Sequence, residues 1–177
     1  MGRFIIKEFL FETPTLDKDE FENLPIDVWF SHLRGNHNNV RVKFADTDSN
    51  DVPLQITRTG LVLDKKYKVN SLRTKAKVFY QVCDWVICNR DIINSYAHCN
   101  NTSNIYDEKT IDLLHQRDKE ITQNKQQFMI PYIKTNYGCQ FVTPIQIPFN
   151  VELEKMSAKI NEQFKEVDKF SAELMGK

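Results

Sequence analysis

The sequence contains little glycine, and its five glycines are spread over 177 residues. A phosphate-binding loop of the kind that holds nucleotides needs glycines close together, so the sequence excludes such a loop. Scarce glycine also leaves little room for long flexible linkers. No apolar run approaches the length of about 20 residues that a membrane-spanning helix needs. We therefore expect no transmembrane segment.

The chain also lacks net charge. Its 24 basic and 24 acidic side chains cancel, so no global field attracts the protein to nucleic acid or to anionic lipid. Binding to either must therefore come from a local patch of charge. Lys7 and Glu8 interrupt the short apolar stretch of residues 1–6. We therefore expect no secretory signal and a protein that is not secreted.

The four cysteines, Cys83, Cys88, Cys99 and Cys139, fit neither a small disulfide framework nor a paired zinc arrangement. Reduced thiols in a cytosolic setting are the simpler interpretation. The pair His98–Cys99, with Cys88 upstream, leaves open a metal site or a nucleophilic cysteine, although no local signature surrounds it. We therefore expect no metal, no cofactor and no enzymatic activity. A small cysteine-dependent or metal-dependent enzyme stays as an alternative.

Alternating apolar residues predict several strands. Val28 and Phe30 alternate before the Gly/Asn-rich residues 35–39, and Val40, Val42 and Phe44 alternate after them. Two runs with period two around such a turn give the clearest hairpin signal in the chain. Further short strands are predicted at residues 3–11, 54–56, 61–63, 128–130 and 139–142, with prolines making the last two edge or interrupted strands.

Helices are predicted at residues 15–24, ending before Pro25, and at residues 107–124. Residues 75–88 are ambiguous, and we predict a strand at their start and a helix toward Tyr96. The order of elements shows no βαβ alternation, which favours an α+β fold. We expect a single compact domain over residues 1–149, in which a mostly antiparallel β-sheet packs against helices.

A long amphipathic helix is predicted for residues 150–177. Its apolar residues recur at the three- and four-residue spacing of a heptad seam. The e positions include Ser157 and Ser171 and lack complementary charges, so we predict docking rather than a free coiled coil, on the core or on a neighbouring subunit. The docking face, or self-association face, consists of Leu153, Met156, Ile160, Phe164, Val167, Phe170 and Leu174.

The strongest charge feature is a basic stretch that contains Asp64 as its only acid. Its cations could bind the phosphates of RNA or of anionic lipid, or they could form a solvated face. Acidic residues prevail between residues 12 and 27, and the two regions together could support head-to-tail self-association. The basic stretch consists of Arg58, Lys65, Lys66, Lys68, Arg73, Lys75 and Lys77.

Residues 46–51, Asp-Thr-Asp-Ser-Asn-Asp, are similar at first sight to a calcium-binding loop. The EF-hand pattern requires glycine where Asp51 stands and glutamate where Thr57 stands. Asp and Asn are also common turn residues. We therefore interpret this segment as a polar turn.

Two segments carry a resemblance to a known family. They are Val40-Arg41-Val42-Lys43-Phe44 and Ile147-Pro148-Phe149-Asn150-Val151-Glu152-Leu153. With these segments, its size and its basic stretch, the chain resembles the matrix proteins of plant rhabdoviruses of the cytorhabdovirus type. It lacks the P-P-x-Y budding motif and the basic N-terminus of animal-virus matrix proteins.

The resemblance implies a viral structural protein of the virion and the host cytoplasm. Such a protein would associate with itself, condense the viral nucleoprotein–RNA and link it to an anionic membrane or to the envelope glycoprotein. The basic stretch would then contact the nucleocapsid or lipid. The alternative is an RNA-binding accessory protein, such as a silencing suppressor, in which Tyr67, Phe79 and Tyr80 stack on bases.

Overall fold

The computed structural model describes residues 15–30, 39–47, 50–98 and 104–145, together with Gly176; for residues 104–107 it describes the backbone only. The chain divides into two units, Met1–Ile147 and Pro148–Lys177. The predicted strand at residues 3–11 lies outside the described residues. So does the predicted C-terminal helix with its docking face, Leu153, Met156, Ile160, Phe164, Val167, Phe170 and Leu174.

The described part of the first unit contains a seven-stranded antiparallel sheet with the strand order β1-β2-β3-β4-β5-β7-β6. Each strand pairs with its neighbours in antiparallel fashion, and β6 lies at one edge. The strands are β1 (Thr15–Leu16), β2 (Val28–Phe30), β3 (Val40–Thr47), β4 (Asn50–Ile56), β5 (Gly60–Leu63), β6 (Tyr132–Thr135) and β7 (Gly138–Phe141).

The predicted hairpin is confirmed, because β2 pairs with β3 and places Val28 opposite Phe44 and Phe30 opposite Val42. Val40, Val42 and Phe44 are buried, whereas the residues between them are only half-buried. This period of two is what one covered sheet face requires. The strands predicted at residues 54–56, 61–63 and 139–142 are also confirmed as parts of β4, β5 and β7.

Among the described residues, the sheet is accompanied by three α-helices, α1 (Ala76–Cys88), α2 (Arg90–His98) and α3 (Asn104–Asn124). Phe79 of α1 lies 6.0 Å from Phe44 of β3 between ring centroids, and Tyr96 of α2 lies 5.3 Å from Phe30 of β2. Helices therefore cover the apolar sheet face, and the α+β prediction is confirmed. None of the described helices is both long and apolar enough to cross a membrane.

The predictions for the start of residues 75–88 and for residues 15–24 are wrong. Residues 75–88 do not begin as a strand, because Phe79, Val82, Cys83 and Val86 are all buried at helical spacing against the sheet. Residues 15–24 do not form an α-helix. They form β1 and one 3-10 turn, Lys18–Glu20, in which the Asp17 carboxylate accepts from the Asp19 amide at 2.8 Å.

The short apolar run at residues 128–130 also lies outside any strand. The strand β6 begins only after Pro131, whose nitrogen cannot donate to a ladder. The edge position of β6 agrees with that constraint. In contrast, β7 lies between β5 and β6 and is not an edge strand.

Polar side chains connect the helices to each other and to the first strands. The Arg117 guanidinium binds both carboxylate oxygens of Asp91 at 3.0 and 2.9 Å and donates to the Cys88 carbonyl at 2.7 Å. Burial alone would raise the pKa of Asp91, but Arg117 outweighs it and the pKa is lowered. The buried Asp118 carboxylate accepts from the Glu22 amide at 2.7 Å. These contacts join α3 to α1, α2 and the segment after β1.

We predict that Gly138→Ala destabilises the sheet. Gly138 has a φ of 135°, and a Cβ there would overlap the carbonyl oxygen of Leu61 on β5. Both effects oppose the β5–β7 ladder, and we expect the free energy of unfolding to fall by about 1–3 kcal/mol. Denaturant unfolding measures the change. Gln140→Ala, at an exposed position of the same strand, is the control, and equal midpoints for the two variants would contradict the prediction.

A lysine-rich candidate nucleic-acid interface

Most of the predicted cations lie on one loop. Residues 64–75, which we call the basic loop, connect β5 to α1 and carry Lys65, Lys66, Lys68, Arg73 and Lys75. Lys77 follows in the first turn of α1. All six side chains are exposed. The loop and the start of the helix therefore present six cations to solvent.

Arg58 does not belong to this group. It lies in the turn between β4 and β5, whereas the basic loop begins at the other end of β5. A four-residue strand separates these ends by about 13 Å. The Arg58 carbonyl accepts from the Ile145 amide at 2.9 Å, so its backbone belongs to a different corner of the sheet.

One side of the basic loop is held by the ends of β3 and β4. The Asp46 carboxylate accepts from the backbone amides of Arg73 at 3.0 Å and Thr74 at 2.7 Å. The Tyr67 hydroxyl donates to the Asn50 side chain at 2.8 Å. The segment predicted as a polar turn is thus mostly strand, because β3 extends to Thr47 and β4 begins at Asn50.

Asp46 is committed to the loop and to the beginning of α1. Burial would raise its pKa, but the hydrogen bonds from Arg73 and Thr74 outweigh burial, and the pKa lies below its ordinary value of 3.8. Its position next to the N-terminus of α1 also favours a negative charge. The Asp46 carboxylate therefore holds both the basic loop and the start of α1 in place.

The other side of the basic loop is held by the β6–β7 hairpin. The Val69 amide donates to the Asn136 carbonyl at 2.8 Å, and the Asn70 amide donates to the Asn136 side chain at 3.1 Å. The Leu63 amide donates to the Tyr137 carbonyl at 2.8 Å. Since hydrogen bonds hold the loop on both sides, its cations stand on a fixed support.

Three lysines of this region lie over tyrosine rings. The distances from ammonium nitrogen to ring centroid are 5.2 Å for Lys66 and Tyr67, 5.8 Å for Lys68 and Tyr137, and 4.8 Å for Lys134 and Tyr80. Such distances are within the range of cation–π attraction. We call these six residues, Lys66, Tyr67, Lys68, Tyr80, Lys134 and Tyr137, the lysine–tyrosine surface.

Lys134 and Tyr137 were not predicted as site residues, and Phe79 was wrongly predicted to stack on bases. Lys134 pairs with the buried Cys139, so it lies on the sheet face that α1 covers. The spacing along the chain gives no signal that this hairpin meets the basic loop. Phe79 is fully buried against Phe44 and cannot stack on a base.

The cations of the basic loop lack acidic partners within the described part of the chain. The ion pairs found there join Arg117 to Asp91 and Glu120, and Lys125 to Asp84. The Asp64 carboxylate, the only acid among residues 64–77, accepts from the Lys66 amide at 3.4 Å. Six cations against one carboxylate give this segment a formal charge of +5. The surface is therefore suited to a polyanion.

The cysteines form no comparable site among the described residues. Cys83, Cys88 and Cys139 are buried free thiols, and Cys99 lies outside the described residues. Burial raises the pKa of Cys83 and raises the pKa of Cys88 to about 11, whereas a hydrogen bond with Cys83 lowers the pKa of the buried Cys139. A thiol that remains protonated at neutral pH is a poor nucleophile. No group of three or more His, Cys, Asp or Glu side chains among the described residues could hold a metal ion.

We predict that Asp46→Ala loosens the basic loop. Two amides lose a charged acceptor, so the free energy of unfolding at pH 7 should fall by about 1–2 kcal/mol. Because the pKa of Asp46 is lowered on folding, its contribution is present above pH 3.8 and is lost as the pH falls through the lower folded value. The difference from the wild type, measured by urea unfolding, should therefore shrink on acidification.

The control for this prediction is Asp64→Ala. It removes a carboxylate of the same loop, and that carboxylate accepts one long hydrogen bond of 3.4 Å. Equal destabilisation by the two substitutions at pH 7 would contradict the role given to Asp46.

We also predict that the folded protein protects Cys88 from alkylation. At pH 7.5 its modification should be more than about a hundredfold slower than in the denatured chain, where the thiol pKa returns to about 8.5. Iodoacetamide labelling followed by peptide mass spectrometry measures the rates. Rapid labelling of folded Cys88 would contradict its burial and would favour the cysteine-dependent enzyme.

Comparisons with protein-family models, with curated proteins and with solved structures found no match to this chain.

Proposed function

We propose that the protein is a non-enzymatic, viral matrix-like structural protein. In this function it associates with itself, condenses the viral nucleoprotein–RNA and links it to an anionic membrane or envelope glycoprotein, in the virion and the host cytoplasm. The observation that carries the proposal is the basic loop, whose exposed cations have no acidic partner among the described residues. Such a surface is suited to an external polyanion.

The rigidity of the loop supports binding to RNA phosphates. Asp46 and Asn136 hold its backbone from two sides, so little loop entropy is lost when the cations meet a ligand. The chain is neutral as a whole, so attraction to RNA must come from a local surface such as the basic loop. A local contact of this kind leaves the rest of the protein available for other partners.

The distribution of acidic residues supports self-association. Asp17, Asp19, Glu20 and Glu22 are exposed next to β1, which lies four strands from β5 in the sheet order. Four strand spacings amount to about 20 Å, which is too far for contact with the basic loop of the same molecule through the sheet. Opposite charges at separate places favour head-to-tail contacts between copies.

An RNA-binding accessory protein, such as a silencing suppressor, is the second candidate. The three lysine–tyrosine contacts favour it, because aromatic faces add affinity for naked RNA. An assembled nucleocapsid leaves fewer bases available to such faces. The two candidates therefore differ in the form of RNA that the surface should prefer.

We predict that the triple substitution Lys65→Gln, Lys66→Gln and Lys68→Gln weakens binding to RNA and makes it less dependent on salt. Each lost phosphate contact removes about 0.7 from the slope of log affinity against log salt concentration, so the slope should fall by about 2. Fluorescence anisotropy at several salt concentrations measures it. The matched control neutralises Lys18, Lys109 and Lys119, which are exposed elsewhere.

Co-sedimentation of the same proteins with viral nucleocapsids and with naked RNA separates the two candidates. Binding to nucleocapsids, with concentration-dependent light scattering, is expected for the matrix-like protein. A strict monomer that binds only naked RNA would favour the accessory protein. A wild type that binds neither ligand, or equal losses for the triple variant and its control, would refute RNA binding by the basic loop.

A further inference from the structure

The geometry of the lysine–tyrosine surface points to a more specific ligand than a polyanion. We infer that it binds single-stranded RNA, with an unpaired base stacked on Tyr137 and the flanking phosphates on Lys68 and Lys134. This inference rests on the proposed binding of RNA. It concerns the chemistry of the contact, and it applies to naked RNA and to RNA exposed on a nucleocapsid alike.

Tyr137 is the best placed ring for stacking. Its side chain is 49% exposed, whereas Tyr67 and Tyr80 are half-buried and have less ring surface in solvent. The ring stands on the turn of the β6–β7 hairpin. The Tyr137 amide donates to the Thr135 hydroxyl at 3.2 Å, and its carbonyl accepts from the Leu63 amide at 2.8 Å. Because the backbone on both sides of the ring is fixed, stacking requires little ordering.

The hydroxyl groups of the two other tyrosines are already used inside the protein. Tyr80 donates to the Thr135 carbonyl at 2.8 Å, and Tyr67 donates to Asn50 at 2.8 Å. Both rings therefore act as fixed supports for Lys134 and Lys66 rather than as hydrogen-bonding groups for a base. A surface that offers ring faces and ammonium groups accepts any base, so we expect little sequence preference.

The ammonium group of Lys68 connects the stacking ring to the phosphate contacts. It lies 5.8 Å from the centroid of Tyr137, so a nucleotide stacked on the ring has a cation within reach of its backbone. Lys134 belongs to the same hairpin, three residues before Tyr137, and lies over Tyr80. The hairpin thus contributes the Tyr137 ring and Lys134, and the basic loop contributes Lys68 over that ring.

Other polyanions use only part of this arrangement. In duplex RNA the bases stack on one another, and the protein meets phosphates and 2′-hydroxyls. Anionic lipid offers charged headgroups without bases. Both ligands would engage the lysines and leave Tyr137 without a role. Unpaired nucleotides are the ligand that engages the rings and the lysines together.

The test measures the affinity of the full chain for a 15-nucleotide single-stranded RNA, for its duplex and for phosphatidylserine vesicles. We expect Tyr137→Ala to weaken binding of the single strand by about 5- to 100-fold, because one base–aromatic stack is lost. Binding of the duplex and the vesicles should change less than about twofold, since these ligands use the cations alone. Tyr137→Phe keeps the ring and should bind like the wild type.

Two further variants distinguish the loss of the stacking ring from an effect on folding. Tyr137→Leu keeps an apolar side chain at the turn but has no ring, so it should lose affinity for the single strand as Tyr137→Ala does. Leu113→Ala, which truncates another exposed apolar side chain on α3, is the matched control and should bind like the wild type.

The outcomes separate this inference from the proposed function. Equal affinity of Tyr137→Ala and the wild type for single-stranded RNA would overturn the inference, as would an equal loss for all three ligands. If the Lys65, Lys66 and Lys68 variant still lost affinity in either case, RNA binding by the basic loop would stand. A wild type that binds no RNA would overturn both.

Discussion

The packing of α1 across the sheet is the constraint on which the rest of the described structure depends. Phe79 meets Phe44 at the centre of the sheet, and Trp85 meets Phe21 after the first strand. The helix therefore crosses the sheet from the basic loop toward the acidic residues that follow β1. This packing fixes the position of the N-terminus of α1. The basic loop connects that N-terminus to the end of β5. The position of the candidate site follows from this packing, because the loop cannot move without the helix.

Around that constraint, hydrogen bonds from its backbone amides hold the basic loop, and its cations have no ion pair with an acidic side chain among the described residues. Asp46 accepts from loop amides rather than from a lysine, and Asn136 accepts from the amides of Val69 and Asn70. Elsewhere among the described residues, Arg117 pairs with Asp91 and Lys125 pairs with Asp84.

The parts of the fold that could be predicted are those in which buried and exposed residues recur at a regular spacing along the chain. The strand β3 and the helix ending at Asn124 were predicted because their buried residues recur every two residues in β3 and every three to four in the helix. Residues 75–88 were predicted wrongly in part. The helix α1 is covered by the sheet and by α2, so its buried positions include the continuous run 85–88. A continuous apolar run has no period that distinguishes a buried helix from a strand.

For the candidate site, the order of residues along the chain is enough to show a net charge of zero and six cations close together. These are Lys65, Lys66, Lys68, Arg73, Lys75 and Lys77. Neighbours along the chain remain neighbours in any fold. The folded arrangement of the sheet places Arg58 at the other end of β5, buries Phe79 and brings Lys134 and Tyr137 to the loop. Those positions depend on the β5–β7 ladder and on hydrogen bonds between residues more than sixty positions apart. Such pairings are fixed by the packing of the whole sheet, and no local pattern in the sequence encodes them.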